Sequence, residues 1–333
     1  MHALLRLLKL LLVLALAAGG FVFWWLQHPL PMSSDTVDLS IEPGRSPRAV
    51  AQDVAAAGIA VDPRLLYLWF RLSGQDRLIR AGSYELDRQT TPRTLLAKLV
   101  RGDEASGYVT LVEGWNFRQV RAALAKAEKL KPDTASMSDQ AIMQALGRPD
   151  VAAEGRFFPD TYTYSKGSSD LALLRRALAA MDKKLDAAWA KRAPDTPLRS
   201  ASDALVLASI VEKETGKVDD RSKIAGVFTN RLKINMPLQT DPSVIYGMGT
   251  AFDGNLRKAD LLRDAPYNSY TRQGLPPTAI ALPGRDALRA AARPDPTKAL
   301  YFVARGDGTS VFSETLNAHN AAVNQYQRGP KGK

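Results

Sequence analysis

The chain has 333 residues, with 45 lysines and arginines against 34 aspartates and glutamates, and it contains no cysteine. The missing thiols exclude disulfides, thiolate metal sites and a cysteine nucleophile together. A net charge of +11 points to an acidic partner, either lipid headgroups or a polyanionic polymer, and no nucleic-acid recognition motif accompanies it.

From the N-terminus, residues 7–26 read LLKLLLVLALAAGGFVFWWL, apolar apart from Lys9. Twenty helical residues span about 30 Å, the thickness of a bilayer core. Trp24 and Trp25 stand where an interfacial aromatic belt lies, and Arg6 and Lys9 keep the N-terminal end cytoplasmic by the positive-inside rule. A transmembrane helix over 7–26 is therefore expected, with residues 1–6 cytoplasmic and 27–35 a linker. The alternative is a cleaved signal peptide, against which the apolar run continues past its small residues to Leu26.

The next stretch repeats a phrase. SPRAVAQDVAAAGI (46–59) and TPRTLLAKLVRGD (91–103) open with Ser/Thr-Pro-Arg, and NFRQVRAALAKAE (116–128) is a looser third copy. Each offers an N-cap residue and apolar positions at helical spacing. AGSYEL (81–86) and YVTLVEG (108–114) alternate as short strands do. Short strands and capped helices over 36–105 resemble the LysM-like glycan-binding modules of wall enzymes; ordinary capped helices are the plainer alternative.

Beyond residue 106 the character changes. EGRFFPDTYTYSKG (154–167) is aromatic and loop-like, residues 170–192 form a basic amphipathic helix, and two prolines over 194–200 break it. SDALVLASIVEKETG (202–216) then reads as a helix with Ser202 or Asp203 as cap and Gly216 as stop. At 100° per residue, Val206, Leu207, Ile210 and Val211 share a face, and Glu214 falls near its centre. Glu212 lies on the opposite side, where it reads as a solvated residue or ion-pair partner. A carboxylate at the end of an apolar stripe is either paired with a cation or set in a cleft wall, where burial raises its pKa into the range of a general acid.

His2 and His28 flank the apolar run, so the body holds only His319. One histidine cannot build a multi-histidine metal site, and no G-x-S-x-G elbow accompanies it. No cofactor or metal is expected, and catalysis falls to carboxylates, tyrosines, lysines or arginines. Residues 228–249 and 266–284 are loaded with Asn, Gln, Tyr, Thr, Pro and Gly. Such loops offer amides and hydroxyls to sugar hydroxyls and rings for sugars to stack upon, so with Glu214 they suggest a groove for a polar polymer.

LASIVEKET, LQTDPSVIYGMG, YNSYTRQGLPPTAIALPG, GRFFPDTY and LYFVARGDGTSVFSETLNAHN together resemble the endolytic murein transglycosylases, the YceG-like family, from the apolar run to about Tyr326. The resemblance implies an α+β protein with an N-terminal transmembrane helix, a LysM-like subdomain (36–105), a larger mixed α/β catalytic domain (106–327) and a basic tail (328–333). It implies a single-pass protein of the bacterial inner membrane with its body in the periplasm, a carbon–oxygen lyase. The activity implied is cleavage of MurNAc–GlcNAc bonds within nascent strands, leaving 1,6-anhydromuramoyl ends and setting where strands terminate. Partners would be peptidoglycan strands, the inner membrane and cell-wall synthases, not nucleic acid. The family's catalytic glutamate falls on Glu214, with Glu212 the second choice. Gln239, Thr240, Asp241, Tyr246, Asn268 and Tyr270 are expected to bind or orient substrate, while Asn230 and Arg231 are read as holding the helix that follows Glu214. Asp241 has two further readings, a turn residue ahead of Pro242 or the second carboxylate of a muramidase that adds water. A rival of another class is an inert, membrane-anchored glycan-binding scaffold.

Overall fold

The computed structural model describes residues 2–42, 44–102, 107–164 and 168–328. It is a mixed α/β structure of helices and small two-stranded sheets, divided into two compact units. The first comprises Met1–Val109, Ala127–Lys131 and Thr163–Ala172; the second comprises Thr110–Lys126, Pro132–Tyr162 and Leu173–Lys333. The boundary expected at 105/106 and residues 329–333 of the expected tail lie outside the described residues.

In the first unit, helix α1 spans His2–Gln27, with the side chains of residues 2–10, 15 and 18 outside the description. Among the described residues, no helix is long and apolar enough to cross a membrane. Strand β1 (Thr36–Ile41), helices α2 (Pro47–Ala56) and α3 (Pro63–Leu72), strand β2 (Gly82–Asp87) and helix α4 (Pro92–Arg101) follow. β1 pairs antiparallel with β2, Val37 opposite Leu86 and Leu39 opposite Tyr84, and these alternate residues are all buried. The repeated phrase consists of helix starts: Ser46 Oγ accepts from Ala49 N and Thr91 Oγ1 from Thr94 N, each ahead of a proline in the first turn. Asp62 caps α3 in the same way, accepting from Arg64 N at 2.8 Å.

Strands β3 (Gly107–Thr110) and β4 (Thr161–Tyr164) pair with each other, and the chain changes unit within each. The second unit holds α5 (Phe117–Lys126), α6 (Asp139–Ala145), most of α7 (Asp170–Trp189), α8 (Ala201–Glu214), α9 (Val218–Lys233), α10 (Asp241–Met248), α11 (Lys258–Leu262), α12 (Arg285–Ala292), the hairpin of β5 (Tyr301–Ala304) and β6 (Ser310–Ser313), and α13 (Leu316–Val323). The third copy of the phrase starts α5, where Asn116 and Gln119 exchange side chain-to-backbone bonds of 3.0 and 2.9 Å.

α8 is the centre of this unit, packed by α9 and α12. Its cap is Ser200, two residues before the expected Ser202. Ser200 Oγ accepts from Asp203 N, and Asp203 reaches back to Arg199 N at 2.8 Å. The helix stops at Glu214, because Thr215 is already extended, rather than at Gly216. The expected single apolar face is also corrected. Leu205, Leu207, Ala208, Ser209, Ile210 and Val211 are all buried while Val206 is half-buried, so neighbours wrap α8 on most sides. Phe158 and Tyr162 belong to the core.

Candidate active site

The end of α8 delivers Glu214 to the start of α10. Thr240 precedes α10 in the capping position, yet its side chain caps nothing. Its hydroxyl donates instead to Glu214 Oε1 at 2.5 Å. The turn that places Thr240 is stitched from both sides. Gln239 sits in the left-handed region at φ 51°, costly for a residue with a Cβ, and its N–H donates to Ser269 O at 2.9 Å. Thr240 N donates to Ser269 Oγ at 2.9 Å, and Ser243 Oγ donates to Thr240 O at 2.9 Å. α9 supplies buried Arg231, whose Nε donates to Leu300 O and whose Nη1 donates to Leu238 O, both at 2.7 Å, with a longer contact of 3.4 Å to Gln239 Oε1.

These surroundings push the Glu214 carboxyl up to about 7. Burial is the largest cause, since it disfavours the ionised form, and the charge of Asp241 adds to it; the Thr240 hydrogen bond and the Arg231 charge act the other way. The carboxyl also sits at the C-terminal, partially negative end of α8. The arrangement is a proton donor and acceptor poised near neutrality. One oxygen is held by Thr240.

Asp241 occupies the first turn of α10, where a carboxylate is favoured, with Pro242 beside it. Its Oδ1 accepts from Tyr270 Oη at 2.5 Å. Burial first, and then this bond, push the Tyr270 phenol well above its usual range. Gln239, Thr240, Asp241 and Tyr270 are thus gathered around Glu214.

The other two expected residues stand apart from that cluster. Asn268 is buried and its amide is spent on its own loop: Nδ2 donates to Arg263 O at 2.6 Å and Leu261 O at 3.1 Å, while Oδ1 accepts from Tyr270 N at 2.9 Å. It fixes the loop that presents Tyr270. Tyr246 Oη donates to Glu154 Oε2 at 3.1 Å, and its ring meets that of Tyr267 edge-on at 5.0 Å. Glu154 also accepts from Phe117 N at 3.1 Å, and burial raises its carboxyl to about 6.

Glu212 is an ion-pair partner and not a solvated residue. Its Oε1 accepts from Arg221 at 2.8 Å, with both side chains under a tenth exposed, and its Oε2 accepts from Gly284 N at 2.9 Å. Burial raises its pKa, with the Gly284 bond and the Arg221 charge opposing. Asn230 donates to Thr297 O at 2.8 Å and Ala299 O at 3.0 Å, so it ties α9 to the chain ahead of β5. His319 stacks on Tyr301 at 5.2 Å, and burial lowers its pKa. Among the described residues, no group of three His, Asp or Glu is placed to hold a metal ion.

Sequence reasoning passed over Glu154, Ser243 and Ser269. Glu154 opens the very EGRFFPDTY run that was read for its aromatics, so a signal existed; small serines in a polar loop carry none.

Residues 39–325 match the YceG-like family. An endolytic murein transglycosylase of Bacillus subtilis (strain 168) is 33% identical over 313 residues, covering 88% of this chain and 86% of that protein. One of Streptococcus pneumoniae serotype 2 (strain D39) is 28% identical over 365 residues, covering 96% of this chain and 64% of that longer protein. Among solved structures, a yceG-like protein of Listeria monocytogenes superposes with a TM-score of 0.55 at 26% identity, over 86% of this chain and 98% of that one.

Proposed function

This chain belongs to the YceG-like family, and on that footing we propose that it is an endolytic peptidoglycan lytic transglycosylase with Glu214 as its acid and base. The observation that carries the reading is a single carboxyl with a pKa of about 7, held by Thr240 on one oxygen. Protonated Glu214 gives its proton to the glycosidic oxygen between muramoyl C1 and GlcNAc as that bond breaks with oxocarbenium-like character. The Glu214 carboxylate then takes the proton from the muramoyl C6 hydroxyl, whose oxygen bonds to C1. The product is a 1,6-anhydromuramoyl end, and no water is consumed. That makes the enzyme a carbon–oxygen lyase. The negative charge of Asp241 would stabilise the cationic sugar between the two steps.

The nearness of Asp241 favours a second reading, a hydrolase in which it acts as nucleophile or base. Mass spectrometry of fragments released from purified strands by the full chain, beside a Glu214→Gln control, separates the two. Internal cuts with anhydro ends that vanish in the control support the transglycosylase; reducing muramic ends support the hydrolase. Absence of cleavage by the folded chain favours the inert scaffold.

We further propose that α1 anchors the protein in the inner membrane with both units in the periplasm beside the cell-wall synthases, on the strength of the apolar sequence 7–26 and the exposed Leu11, Leu12, Val13, Leu14, Phe21 and Phe23. The segment 36–105, where β1 and β2 enclose α2 and α3, is read as the LysM-like module.

A further inference from the structure

α10 presents two sets of side chains. Asp241 belongs to the Glu214 cluster, whereas Pro242, Ile245 and Tyr246 line a cavity of about 850 Å³. Lys213, the chain neighbour of Glu214, lines the same cavity, so α8 and α10 each contribute residues to both the cavity and the Glu214 cluster. Its volume is in the range of sites that enclose a ligand. Aromatic rings line it from Tyr246, Tyr267 and Phe252.

The charges around it are unequally satisfied. Glu154 is spent on Tyr246 Oη, Phe117 N and Gly155 N. Asp139 is paired with Arg121 at 2.7 Å. The two cations of the lining are different. Lys213 Nζ has a 3.3 Å bond to Gly114 O, and neither it nor exposed Arg118 is paired with a carboxylate among the described residues. An aromatic wall with two such cations at its mouth suits a sugar that carries carboxylates.

We infer, on the transglycosylase reading above, that this cavity is a subsite for a peptide-substituted muramoyl residue. The sugar lies against Tyr246 and Tyr267, and carboxylates of the lactyl-linked peptide meet Lys213 and Arg118. The enzyme then prefers peptide-bearing strands to stripped ones, and the preference resides in binding, because these contacts are the same before and during bond cleavage.

The test uses the full chain and three substrates prepared from one wall: peptide-bearing strands, the same strands with their peptide carboxylates converted to amides, and strands stripped of peptide. Solvent-exposed ion pairs are modest, so KM for peptide-bearing strands should be lower than for the other two by about three- to tenfold, with kcat similar. Lys213→Ala and Arg118→Ala should narrow that ratio, and Lys213→Arg and Arg118→Lys should restore it. Dissociation constants for the same three strands, measured on Glu214→Gln protein, read the inference without any cleavage, so failure of the chemistry and failure of the subsite are told apart. Equal affinity for peptide-bearing and amidated strands would overturn it, as would alanine variants that weaken all three substrates equally.

Discussion

Thr240→Val removes one hydroxyl and keeps the side chain's shape at a site 2% exposed. The hydroxyl does not cap α10, so the helix start loses no capping bond; what is lost is the 2.5 Å bond to Glu214 Oε1. A hydrogen bond to a charged group is worth about 1.5–3 kcal/mol, and part of it survives when the acceptor is protonated, so a differential of roughly 1.4 kcal/mol is reasonable. That corresponds to about one pKa unit. Because the bond favours the ionised form, its loss raises the Glu214 carboxyl from about 7 by that amount. The assay is the pH dependence of kcat/KM on glycan strands, whose alkaline limb reports the acid of the free enzyme. In the parent protein the rate should fall above a pH of about 7, and in Thr240→Val the limb should lie about one unit higher. A limb that stays in place in a folded variant would refute the assignment of Thr240. A parent profile with no limb near neutrality would refute Glu214 as the acid.

Asp241→Asn should move the same limb in the opposite direction, since the Asp241 charge raises the Glu214 pKa; a limb shifted upward would contradict the geometry. Glu214→Gln should abolish cleavage while stabilising the fold at alkaline pH. The folded carboxyl titrates at about 7 against an ordinary value of 4.5, so the native state holds this proton more tightly and stability falls as pH rises from about 4.5 to 7. The loss is on the order of 3 kcal/mol, and urea melts at pH 5 and pH 8 should show the variant to be flatter than the parent. Arg221→Leu should cost about 3–5 kcal/mol near neutral pH by stranding buried Glu212, and adding Glu212→Leu should recover much of it; a variant that melts with the parent would show the pair to be dispensable.

What the sequence made legible is what local rules govern. Ser46, Thr91 and Asn116 announced helix starts because a short polar side chain ahead of a helix has one dominant use, the capping of free N–H groups. Glu214 was singled out from an apolar helix face, but α8 is buried on most sides; what sets Glu214 apart is its place at the helix end against Thr240. Glu212 was left between a solvated residue and an ion-pair partner, and the second holds; the 3.6-residue period shows which side a residue faces and not what covers that side. Here α12 covers it, and Gly284, seventy-two positions away, supplies the N–H. Asn268 and Tyr246 were expected to bind or orient substrate from their loops and motifs, and the sequence did not show what else they would touch. Their partners, the loop carbonyls and Glu154, are set by tertiary packing, which no local pattern encodes.

On the proposed mechanism, Thr240 and Arg231 account for how one carboxyl can serve both halves of the reaction. Burial and Asp241 would by themselves hold the Glu214 proton so firmly that the carboxylate, once formed, would be costly. A Thr240 hydroxyl and a nearby guanidinium offset part of that cost without making an ion pair that would strip the proton from the acid. Arg231 Nε and Nη1 are directed to Leu300 O and Leu238 O, and among the described residues Arg231 makes no ion pair with Glu214. A balanced pKa near 7 makes donation to the leaving oxygen and recovery from the C6 hydroxyl comparably accessible at neutral pH. The cost of that balance falls on the backbone at Gln239, whose left-handed conformation leads into Thr240; that residue stands in the capping position of α10, yet its hydroxyl goes to Glu214 and not to the free N–H groups of its own helix.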